Sequence, residues 1–71
     1  MVKPGNYQHY KGGVYKVLFT AFDTRTDKPV VVYVNLDHGT IYTRPLAEFT
    51  QKVKDENNYM VPRFHFICGV E

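Results

Sequence analysis

The sequence predicts a small α+β domain, mainly β. Its expected architecture is a five-stranded antiparallel sheet bent into an SH3-like partial barrel, with one short helix over about residues 45–54. Three observations carry this expectation. Apolar runs of strand length alternate with turn residues along most of the chain. The hydrophobic period changes only once, after residue 44. The chain has 71 residues, the size of one small domain, with loops too short to connect distant layers.

Residues 1–5 read as a flexible tail ahead of the domain, entered through Pro4 and Gly5. Residues 7–10 form a first short strand, and Gly12-Gly13 supplies the turn after it, because glycine takes positive φ without strain. Residues 14–22 alternate with apolar groups on both faces, as in a strand whose outer face is partly covered. The polar segment 23–29 makes a hairpin with residues 30–36, where four of the first five positions are β-branched. Asp37-His38-Gly39-Thr40 is a tight turn with Gly39 at positive φ, and residues 41–43 are the return strand.

The period then becomes helical. Pro45 suits a first helical position, and Arg44 before it is pushed out of the α region. Leu46, Phe49 and Val53 share one stripe, with Glu48 and Lys52 paired on the other side and Lys52 and Lys54 in the last turn. Residues 55–58 are a loop. Pro62 cannot donate to a ladder, so it marks the start or edge of a final strand over 63–68. That strand is expected to pair back toward the first, with the helix capping an open end.

Composition limits the function classes. One cysteine and three scattered histidines make neither a disulfide nor a zinc ligand set, and the carboxylates fall in loops and at element ends rather than in an acid/base pair. No metal or other cofactor is expected. Stability must come from a core, for which six Tyr and five Phe supply the area. The lone cysteine, the absence of an apolar leader and the lack of any membrane-length apolar run predict a cytoplasmic protein without a membrane partner. A net charge of +2 permits a polyanionic partner without demanding one.

Four segments, in order and spacing, carry a family resemblance: Gly5-x-Tyr7-x-His9-Tyr10-Lys11-Gly12, Val31-Val32-Tyr33, Tyr42-x-Arg44-Pro45-Leu46-x-x-Phe49 and Val61-Pro62-Arg63-Phe64. Together they resemble the small bacterial and phage family of domains of unknown function 1653, from Gly5 to Phe66. The resemblance implies a small β-rich domain and no particular activity. Gln8 stands where that family commonly carries arginine, and Tyr42 where it often has tryptophan, so one positive charge is missing and an aromatic face is kept.

Strand alternation places Tyr7, His9 and Lys11 on one face of the opening stretch. Joined by Tyr42, Arg44 and Arg63, they make a candidate ligand-binding face of aromatic and basic groups. Such a face suits stacking of a nucleic acid or nucleotide base. The tyrosines would also suit a peptide or modified-lysine ligand, or a core with wet hydroxyl tips. Arg44 is the residue that local structure explains least, because a cation at a helix N-terminus is unfavourable. It would pair with Glu48 or Asp37, or bind an anion. His9 reads either as a strand histidine with a local hydrogen bond or as a general base. The expected function is a non-catalytic binding module for nucleic acid or a nucleotide. The alternatives are a protein–protein interaction or assembly domain, of undetermined oligomeric state, and, last, a small enzyme using His9 and Arg44. No catalytic residue is assigned. Cys68 reads as a small packed hydrophobe.

Overall fold

The structure, a computed structural model, describes residues 2–69. Eight elements follow in order: β1 (Gly5–His9), β2 (Val14–Asp23), β3 (Lys28–Asn35), β4 (Ile41–Pro45), α1 (Leu46–Phe49), β5 (Lys52–Lys54), β6 (Met60–Pro62) and β7 (Phe64–Gly69). Five strands form one antiparallel sheet in the order β4-β3-β2-β1-β7, and β5 and β6 make a separate two-stranded ribbon. The five expected strands are the five of the large sheet, and the last pairs with the first, His9 opposite Phe64 and Tyr7 opposite Phe66.

The sheet is not closed into the expected partial barrel. Its edges are β4 and β7, and the chain between them is used for α1 and the β5–β6 ribbon rather than for a ladder joining the edges. Turn chemistry follows the sequence. Gly12, Gly13 and Gly39 all take positive φ. Buried Asn35 fixes the β3–β4 turn, its Oδ1 accepting the N–H groups of Asp37 and His38 at 2.8 and 3.2 Å.

The helix is the main correction. It spans four residues, not the ten expected over 45–54. Pro45 ends β4 in an extended conformation, with ψ at 137°. The Thr50 hydroxyl donates to the Leu46 carbonyl at 3.0 Å, and the Gln51 N–H bonds the Glu48 carbonyl in a tightened last turn. Beyond it, Lys52-Val53-Lys54 alternates exposed, half-buried, exposed, so a strand buries Val53 as well as a helix would. Glu48 accordingly meets Arg44 at 3.4 Å instead of Lys52.

The expected tail is also shorter: Gly5 already belongs to β1, Val2 packs against the core, and Lys3 holds its Nζ 4.4 Å from the centre of the Phe66 ring. Met1 lies outside the described residues.

The core is one cluster: Tyr7, Val17, Val31, Tyr33, Phe49 and Phe64. Phe49 of α1 stacks on Phe64 with centroids 4.1 Å apart, and the edges of Tyr7 and Tyr33 meet the Phe49 ring. One short helical turn thus plugs the inner face of the sheet. Among the described residues no helix is long and apolar enough to cross a membrane, and no group of three or more His, Cys, Asp or Glu converges as a metal site.

Candidate functional site

Residues on the inner face of an antiparallel sheet line up in rows across the strands. Tyr42 lies opposite Tyr33, and Arg44 opposite Val31. At the β1 end, His9 lies opposite Phe64. Where these rows run past the Phe49 plug they enclose a small cup of about 180 Å³, lined by His9, Tyr15, Tyr33, Tyr42, Arg44 and Phe64.

Its walls are aromatic. Tyr42 stacks on Tyr33 at 5.8 Å, and Tyr15 meets Tyr33, Tyr42 and Phe64 edge-on at 5.5, 6.3 and 5.7 Å. Tyr33 is buried, while Tyr42 on the edge strand is 38% exposed and presents ring surface to solvent. Arg44 supplies the charge. Its Nε donates to the Tyr33 hydroxyl at 3.4 Å, and its Nη1 lies 3.4 Å from Glu48 Oε1. Both contacts are long, and Glu48 is more than half exposed, so this pair holds the guanidinium weakly. Of the two acidic partners expected for Arg44, it takes Glu48 and not Asp37.

His9 closes the β1 side. Its N–H bonds the Gly13 carbonyl and its own carbonyl accepts from Gly12, so the glycine turn folds back over it. The Lys11 N–H donates to His9 Nδ1 at 3.2 Å. The neutral ring therefore carries its proton on Nε2. The imidazole packs against Tyr10 at 4.8 Å and edge-on to Phe64 at 4.9 Å. Burial pushes its pKa below the ordinary 6.5, and the positive charges of Arg44, Arg63 and Lys11 push it further down. At neutral pH His9 is uncharged, in a setting already rich in cations.

The structure therefore brings three of the six expected site residues, His9, Tyr42 and Arg44, to one mouth. The other three lie around it. Tyr7 is core, its hydroxyl donating to the Lys3 carbonyl at 2.8 Å; burial raises its pKa, partly offset by that bond. It faces a different cleft, with Val2, Leu46 and Phe49. Lys11 is exposed on the turn, its Nζ 5.7 Å from the Tyr10 ring centre. Arg63 works as a strap. Its Nε donates to the Glu48 carbonyl at 3.0 Å, its Nη2 to Gln51 Oε1 at 3.2 Å, and its backbone bonds both Tyr10 and Gln51. A cation on the last carbonyls of a helix is favourable, which explains this arginine beside α1.

Three lining residues were missing from the expected site: Tyr15, Tyr33 and Phe64. The alternation of Tyr15 with Val17 and of Tyr33 with Val31 marks them as inner-face residues. The register that brings them beside Tyr42 comes only with the strand pairing.

The comparisons with known proteins agree with this fold. No curated protein matches the chain. The crystal structure of a DUF1653 protein from Bordetella bronchiseptica superposes with a TM-score of 0.85 at 34% identity, covering 99% of this chain and 92% of that one. The family model for proteins of unknown function DUF1653 matches residues 5–66. On these grounds the chain belongs to the DUF1653 family.

Proposed function

We propose that the protein is a non-catalytic binding module whose cup takes a nucleotide base, with the attached phosphate on Arg44. The observation that supports this most is the pairing of an exposed stacking ring, Tyr42, with a loosely held guanidinium two residues along the same edge strand. A base stacks on an aromatic ring whatever its identity, and a phosphate outcompetes a solvated surface carboxylate for arginine. Drug-sized pockets run to about 300–1,000 Å³, so a cup this small takes one planar group and leaves the rest of the ligand outside. A methylated-lysine cage is disfavoured, because Arg44, Arg63 and Lys11 already depress the charge of His9 and would repel a second cation. A binding role fits better than catalysis: His9 Nδ1 is occupied by the Lys11 N–H, and the lining offers no Ser, Cys or carboxylate as a reacting partner.

Titration with thymidine 5′-monophosphate, followed by amide NMR, tests the reading. Shifts are expected at residues 9, 15, 33, 42 and 44. Tyr42→Ala should weaken binding roughly tenfold or more, since stacking contributes about 1–3 kcal/mol per base. An unchanged spectrum at those positions would rule the nucleotide out.

The histidine adds a pH dependence. Its pKa is depressed in the free protein, and a bound phosphate offsets the cations that depress it, so binding raises that pKa and takes up a proton. Affinity should therefore increase as pH falls, through the window between the bound and free values of His9. Thymidylyl-thymidine is the suitable probe, because its phosphodiester does not titrate there. The His9→Gln variant should lose the dependence; a slope that survives in it contradicts this assignment.

Assembly through a sheet edge is the second reading. It is favoured by Ile41, 61% exposed on β4, the edge strand that carries the cup.

A further inference from the structure

The cations outside the cup form a second, separate arrangement. Lys11 and Lys54 line one broad depression together with Tyr10. They come from unrelated elements, the β1–β2 turn and the β5 strand, and meet because Arg63 fastens the β5–β6 ribbon beside Tyr10. Tyr10 is half-buried. Its ring touches His9 on the way to the cup and lies under the Lys11 ammonium on the way to Lys54. From Tyr42 and Arg44, through His9 and Tyr10, to Lys11 and Lys54, aromatic and cationic groups alternate along one path. Two carboxylates border its far end. Asp55 is occupied, its Oδ1 accepting the N–H groups of Asn57 and Tyr59 at 2.9 Å each. Glu56 is exposed and opposes an anion there.

We propose that this path makes the ligand a single-stranded nucleic acid rather than a free nucleotide. One base occupies the cup, the next phosphate lies at Lys11 and Lys54, and a second base reaches Tyr10. This rests on the nucleotide reading of the cup and extends it. The alternation is what a non-sequence-specific strand needs, because cations follow the backbone while rings accept successive bases. The contact between Lys11 and Tyr10 is an exposed cation–π pair at 5.7 Å, weak enough for a base and a phosphate to replace it together. A mononucleotide would leave Lys11 and Lys54 without a role.

The test compares thymidine 5′-monophosphate with oligothymidylates of two, four and six nucleotides over a range of salt concentrations. Affinity should rise with length and fall with salt. In the Lys11→Gln/Lys54→Gln double variant the slope of log K against log salt should drop by about 1.4, from about 0.7 per lost phosphate contact on a single strand. Mononucleotide binding should stay unchanged in that variant, and Glu56→Gln should tighten the oligomers only. Oligomers that bind no better than the monophosphate, or a double variant with an unaltered slope, overturn the extended site while leaving the cup intact. If neither probe shifts the cup amides, the nucleotide reading itself falls. Inorganic polyphosphate binding as tightly as the hexamer would also overturn the proposal, since no base would then be read.

Discussion

Replacing Phe49 with alanine is expected to remove most of the folding stability. Phe49 is 2% exposed and is the largest fully buried side chain. It stacks on Phe64 and receives the edges of Tyr7 and Tyr33, so four rings lose a neighbour at once. A Phe→Ala change at such a site costs about 3–5 kcal/mol, the lost transfer energy plus the cavity left behind. Chains of this length have total stabilities of only about 4–10 kcal/mol. The urea midpoint, followed by tyrosine fluorescence or far-UV dichroism, should fall to a small fraction of the wild-type value. A midpoint shift worth less than about 1 kcal/mol would mean that α1 does not plug the sheet. Phe49→Leu keeps most of the volume and should cost clearly less.

Gly5→Ala should be the second severe change. Gly5 has φ of +143°, a region side chains rarely adopt, and an added Cβ would approach the Cys68 carbonyl oxygen closely enough to push β7 away. The backbone strain alone is worth about 1–3 kcal/mol, and the displaced strand loses ladder bonds beside it. Gly12→Ala is the control. Its φ is also positive, at +102°, but nothing lies within 4 Å of the new methyl, so the cost is limited to conformation. Matched denaturation curves for the two variants would decide it: equal losses would show that the contact with Cys68 is not the cause. The two changes also separate stability from binding, since neither residue lines the cup.

The elements that were legible in the sequence are those whose pattern is local. The β-branched run of β3, the paired glycines after β1 and Gly39 in the β3–β4 turn each specify their own backbone. The stretch after Pro45 was ambiguous for a physical reason. Leu46, Phe49 and Val53 fit a helical stripe, but Val53 between two lysines fits a strand equally well, and the Thr50 hydroxyl decided the matter by ending the helix. The sheet stays open because the chain after β4 folds over the inner face, which no periodicity announces.

The site divides along the same line. Arg44 stood out because local structure did not explain it, and it lies at the mouth of the cup. Arg63 drew the same question, and its answer is mainly architectural: it fastens α1 and the ribbon. Tyr7 shares a strand face with His9, yet two residues along a strand were enough to move it from the mouth into the core. Alternation gave the face, and only the packing of Phe49 against Phe64 divided that face into core and cup.

The pairing of β1 with β7 has a kinetic meaning. Strands β1 to β4 form a meander whose turns are short, so their contacts are local and inexpensive to nucleate. The partner on the other side of β1 comes from the far end of the described chain, with Gly5 opposite Gly69 and His9 opposite Phe64. Joining them closes the longest loop in the fold, the kind of step that slows folding. Because Phe64 belongs to that late strand, the cup acquires its floor in the same event. A partly folded chain could display Tyr42 and Arg44 on the meander, but it would lack the wall that makes them a site.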